Sequence, residues 1–125
     1  MLIGDIEEGN KARLLSENST ALDVGVLKAG HHGSRTSSTS PFLNTVTSEV
    51  VIISLGAGNS YGHPHPPSLD RISAAGTQHL FRMDVDGIIT LTANSSSSDY
   101  SIVTEKSMKK TFDVSKFETA CCSLQ

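Results

Sequence analysis

Three short segments hold most of the residues that can do chemistry, and each follows an apolar run. Gly4-Asp5 comes after Met1-Leu2-Ile3. Gly30-His31-His32-Gly33-Ser34 comes after Val26-Leu27-Lys28-Ala29. Asn59-Ser60-Tyr61-Gly62-His63-Pro64-His65-Pro66 comes after Val50-Val51-Ile52-Ile53-Ser54-Leu55. A carboxylate projected from the rim of a sheet can ligate or bridge metal ions. Neutral imidazole is the commonest metal ligand, and flanking glycines let the backbone turn sharply enough for a ring to reach inward. Prolines stiffen the third segment and fix where its rings point. An aspartate with several histidines suits metal-assisted hydrolysis, in which zinc or manganese acidifies a bound water and paired metals clamp the attacking and leaving oxygens.

Each segment also has a plainer reading. Asp5 suits the N-cap of a following helix, the His31-His32 pair suits a polar surface turn, and the third segment suits an ordinary proline-rich loop. Neighbouring side chains point apart in extended backbone, so one of His31 and His32 is expected to ligate while the other packs or supports it. His79 is expected to pack within a strand and to have no role. Nucleophile motifs of the G-x-S-x-G type and phosphate-cradling glycine loops are absent. Ser34 adjoins His32 but carries no signal of the orienting acid and oxyanion hole that a serine hydrolase needs.

The elements that would position these residues read as strands alternating with short helices. Met1–Ile3 reads as a strand stub, and Glu7–Leu15 as a helix with Ala12, Leu14 and Leu15 on its apolar side. Leu22–Ala29 reads as a strand. Ser40 is expected to cap a helix over Pro41–Thr47, with proline at its first position. Val50–Leu55 is a continuous apolar run that suits a strand buried on both faces. Pro67–Ala75 reads as a helix ended by Gly76. His79–Met83 and Ile88–Thr92 read as a hairpin turning over Asp84–Gly87, with Ser95–Ser98 a polar turn and Tyr100–Thr104 a further strand. The order predicts α/β layering, a mixed sheet with outer helices, and ligand chemistry at strand ends. Periodicity fades after Glu105, so 105–125 is expected to be a loose tail or a short helix, leaving one domain over 1–104.

Composition narrows the function classes. The chain has 125 residues, a formal net charge of -3 and only 5% aromatic residues. It offers no basic field to draw in nucleic acid or anionic lipid, so a metal or another segment must meet the charge of any phosphodiester substrate. No apolar run reaches the length of a membrane span, and the start lacks the basic and apolar stretches of a signal peptide. The adjacent Cys121 and Cys122 build no disulfide framework. A reduced, cytoplasmic protein is the default expectation.

Together and in this order, the three segments resemble the metallo-β-lactamase domain of the ComEC competence proteins and their stand-alone relatives. The matching residues are Leu2-Ile3-Gly4-Asp5-Ile6-Glu7, Val26 to Ser34 with Thr36-Ser37-Ser38, Ile53-Ser54, Asn59 and Tyr61-Gly62-His63-Pro64; Arg82 to Thr90 resembles that family's closing hairpin. The resemblance implies the C-terminal half of an αββα sandwich and a metal-dependent nuclease or phosphodiesterase acting on DNA or a related phosphodiester. Asp5 would bridge two zinc or manganese ions. His31 or His32 would be a metal ligand, with His32 favoured by the small Gly33-Ser34 after it. His63 would sit at the rim as a ligand, proton donor or substrate contact. The family's H-x-H-x-D-H motif is absent, since no histidine precedes His31. This chain alone is therefore expected to bind metal weakly or not at all. The alternative is an inactive half-domain that binds a partner. Its partner would be the missing N-terminal half or a second copy covering the sheet face of Val24, Val26 and Ile52.

Overall fold

In the computed structural model, which describes residues 1–5, 8–18, 22–94 and 99–113, the chain divides into two compact units, Met1–Val85 and Asp86–Gln125. The first unit is built on a parallel sheet of β1 (Val26–Lys28), β2 (Val50–Ile53) and β3 (His79–Arg82), in that spatial order. Parallel neighbours need crossover connections. Here α2 (Ser40–Val46) links β1 to β2, and α3 (Pro66–Ala74) links β2 to β3. With both crossovers stepping the same way along the sheet, a common hand sends both helices to one face.

That face holds the core. Leu27, Ala29, Val51 and Ile53 alternate inward from the strands and meet Phe42, Leu43 and Val46 of α2 and Ile72 of α3. Leu14 and Leu15 of α1 (Glu8–Asn18) and Leu69 of α3 close over them. Each such aliphatic or aromatic side chain contributes roughly 1.5–3 kcal/mol on burial. Val24 packs against this core as well, so it does not belong to an open face with Val26 and Ile52, which are half-buried. On α1 the sequence pattern misled: Ala12 is exposed, and Lys11 is 1% exposed. Its ammonium donates to the carbonyls of Thr36 and Ser37, while the Arg71 guanidinium donates to those of Arg35 and Ser38. Two cations thus hold the loop that follows the His31-His32 pair.

Residues 1–3 run parallel beside β1, with a bridge between Leu2 and Lys28 and a hydrogen bond from the Lys28 amide to the Met1 carbonyl. The α2 helix begins one residue before the expected proline, making Thr39 the cap position instead of Ser40. The second unit is an antiparallel sheet of β4 (Ile89–Ala93), β5 (Asp99–Thr104) and β6 (Ser107–Asp113), in sequence order. The expected hairpin between 79–83 and 88–92 does not form. β3 pairs in parallel with β2, β4 pairs with β5, and the short helical turn α4 (Met83–Asp86) lies between β3 and β4. The mixed sheet is therefore two sheets, one parallel and one antiparallel. A strand also occupies 107–113, within the segment expected to be a tail. Ser95–Ser98, Cys121 and Cys122 lie outside the described residues. Among the described residues no helix is long and apolar enough to cross a membrane.

Candidate functional site

The backbone at the end of β1 is unusual. His31 and His32 have φ of 45° and 52°, and Gly33 has φ of 78°. This left-handed turn is closed by the Ser34 amide donating to the His31 carbonyl at 2.9 Å. For an L-residue the left-handed conformation costs about 1–2 kcal/mol, and strain of this kind persists only where the surroundings impose it. It also overturns the expectation that neighbouring rings diverge, which holds for extended backbone. Both histidines face one recess of about 260 Å³, together with Asp5, Tyr61 and His63. Asp5 is brought there by the strand stub, because the His31 amide donates to the Gly4 carbonyl at 3.3 Å.

His63 arrives from the loop after β2. The Asn59 side chain grips that loop at both groups of one residue: its amide donates to the His63 carbonyl at 2.7 Å, and its carbonyl accepts from the His63 amide at 3.0 Å. Pro64 then seats against the left-handed turn. A Cβ at Gly33 would lie 2.7 Å from the Pro64 Cβ and 3.3 Å from the Ile53 Cγ2. The His65 amide donates to the Gly33 carbonyl at 3.0 Å, and the Arg35 amide donates to His65 Nδ1 at 3.0 Å. His65 therefore ties the two loops together. Ser34 is buried, with its hydroxyl against that of Thr36 at 3.2 Å, which suits a loop-forming role rather than a nucleophile. His79 packs near Phe81, with ring centroids 6.5 Å apart.

His63 is the hub of an aromatic cluster. Its ring centroid lies 5.7 Å from His31, 6.4 Å from His32, 4.7 Å from His65 and 5.9 Å from Tyr61. Burial, and then the fields of His65, His31 and His32, holds its pKa below the ordinary imidazole range. Nδ1 of His32 lies 2.6 Å from the Ser54 carbonyl. A carbonyl only accepts, so Nδ1 carries the proton and Nε2 keeps its lone pair, the tautomer arrangement common to metal-bound histidines. One carboxylate and three imidazoles thus form a donor set of the right chemistry for zinc or manganese. Rings sharing one zinc at its usual bond length would have centroids roughly 5 Å apart, and those of His31 and His32 stand somewhat farther than that from His63. Among the described residues no three such side chains are arranged to hold an ion together.

The His63 shift sets a pH dependence. The unfolded chain binds this proton more readily than the fold does, so the associated stability is complete above the ordinary imidazole range and is lost as pH falls through the lowered value. Denaturation midpoints are expected to drop as pH falls below the ordinary imidazole range. His63→Gln should flatten that drop, and a slope unchanged by the substitution would remove His63 as its source.

Two contributions carry no assignment from the sequence: the orienting role of the Ser54 carbonyl, a backbone group, and the buried ammonium of Lys11.

In sequence, this α/β chain with its histidine–aspartate recess is similar to competence proteins. It is 36% identical over 89 residues to "Competence protein ComA" of Neisseria gonorrhoeae, covering 71% of this chain and 13% of that protein. It is 33% identical over 89 residues to "ComE operon protein 3" of Bacillus subtilis, covering 71% of this chain and 11% of that protein. It is 37% identical over 75 residues to "Recombination protein 2" of Haemophilus influenzae, covering 58% of this chain and 9% of that protein. The chain thus matches about a tenth of the length of these relatives. No protein-family model matches the chain, and no solved structure does.

Proposed function

We propose that this chain contributes the C-terminal part of a metal-dependent phosphodiester hydrolase of the metallo-β-lactamase fold, acting on DNA in competence. The observation that carries this reading is the convergence of Asp5, His31, His32 and His63 on one recess, with His32 fixed in a ligating tautomer. Similarity to competence proteins supports the nucleic-acid setting. Asp5 and His32 would hold zinc or manganese, with His31 beside them. When bound, such ions acidify a water and offset the phosphate charge, which a chain of net charge -3 does not meet by itself. His63 stays neutral at neutral pH because its pKa is lowered. In that state it would accept a proton from the attacking water or donate an N–H hydrogen bond to the departing oxygen, rather than act as the proton donor that the resemblance implied.

The lack of a closed three-ligand set among the described residues favours a second reading, in which this chain alone is inactive and binds a partner. One experiment separates the two. Zinc titration of the chain by calorimetry is expected to give micromolar affinity or weaker, and nanomolar affinity would mean a complete shell is already present. Adding a segment that carries H-x-H-x-D-H should then produce manganese-dependent cleavage of single-stranded DNA. Tight assembly without any cleavage would leave the partner-binding reading standing instead.

A further inference from the structure

Beside the histidine recess lies a second, larger groove of about 480 Å³ whose walls include Leu55, Tyr61 and Met83. The two hollows share His32, Tyr61 and His63. A phosphate held by metal ions on Asp5 and the histidines would therefore lie beside an apolar groove able to take its neighbouring group. We propose that this groove is a nucleobase subsite in which Tyr61 stacks on the base next to the scissile phosphate; the proposal rests on the phosphodiester reading above.

Tyr61 is 77% exposed, an unusual position for a large aromatic ring in a structured loop. One face stacks on His63 at an interplanar angle of 21°, so the other face is available. The Asn59 grip on His63 and the Gly62 amide bond to the Asn59 carbonyl hold the turn that carries Tyr61. A ring held in place loses little entropy on stacking, and Met83, 37% exposed on the same groove, adds a polarisable thioether that packs well on aromatic faces. Charge points the same way. With a net charge of -3 the chain as a whole has no positive excess to attract a polyanion, which leaves a larger share of any affinity to the bases. Stacking tolerates any base, because every base has a π-face.

The test is fluorescence polarisation with the full chain in metal-free buffer, using a short oligothymidylate and an abasic oligomer of equal length. The base-bearing probe is expected to bind about tenfold more tightly, in line with the worth of one stacked base. Tyr61→Ala should remove that preference, lowering affinity for the base-bearing probe far more than for the abasic one, and Tyr61→Phe should keep it. The salt dependence should be shallow, since few counterions are released. The proposal is overturned by equal binding of the two probes, by no binding of either, by a steep salt slope, or by a Tyr61→Ala loss that is equal for both probes. These results are distinct from failure of the hydrolase reading. A chain that prefers bases but never cleaves when supplied with H-x-H-x-D-H keeps the subsite and loses the chemistry, whereas one that cleaves without base preference does the reverse.

Discussion

Gly33→Ala is expected to lower folding stability by roughly 2–5 kcal/mol, a large part of the ~5–15 kcal/mol that holds a typical domain together. Two costs add at this position. The backbone is left-handed, with φ of 78°, where an L side chain is disfavoured. The new Cβ would also lie 2.7 Å from the Pro64 Cβ, and proline is a rigid ring that cannot swing aside. Relief requires the 59–65 loop to lift from the turn, which breaks the bond from the His65 amide to the Gly33 carbonyl. Stability and site geometry should therefore fail together. Gly56→Ala is the control, since nothing lies within 4 Å of a Cβ there. Urea denaturation of both variants is the measurement; a Gly33→Ala midpoint equal to that of Gly56→Ala would show that the loops are not packed as described.

The second large effect concerns metal. His32→Ala is expected to weaken zinc binding by more than tenfold, and His31→Ala by less, in the completed site and in whatever weak binding the chain shows alone. Orienting partners of metal-bound histidines are themselves worth about 10–100-fold in affinity. His32 has such a partner in the Ser54 carbonyl, which would leave Nε2 as the nitrogen to coordinate a metal. The asymmetry no longer depends on the two rings pointing apart, because the left-handed turn directs both to the recess. Calorimetric zinc titration of the two variants decides it. Equal losses, or a larger loss at His31, would reverse the assignment.

Where one local feature decides the outcome, the sequence was readable. The run at Val50–Ile53 became the central strand because its residues are apolar on both faces and glycines lie beyond. The three chemical segments meet because two of them follow parallel strands, β1 and β2, and the third follows a stub running parallel to β1. The hairpin failed for a non-local reason. Asp84 to Gly87 has turn chemistry, but His79–Arg82 gains a full parallel ladder against β2, and no nearby residue announces that partner. Asp84 instead pairs with the Arg82 guanidinium at 2.6 Å, a contact that turn propensity does not foresee. The burial of Lys11 is not legible from helix periodicity, which treats charge as a mark of the outer face. That burial depends on four backbone carbonyls turned inward by a distant loop, two held by Lys11 and two by Arg71. The convergence of both histidines was hidden for a related reason, since side-chain alternation presumes extended backbone and His31 and His32 are not extended.

The left-handed turn also bears on how this sequence drifts over time. Folding alone would favour glycine at positions 31 and 32, where it takes the same backbone at no steric cost. Histidine at both positions carries a steric cost to the fold, which use of the rings in the proposed site would offset. In lineages where the recess falls out of use, these two codons should be among the first to change, toward glycine or asparagine, while Gly33 and Pro64 persist because the packing of the loops needs them. A relative that keeps the Gly33–Pro64 contact but has lost both histidines would thus be a retired copy of the site, still folded and no longer selected for its chemistry.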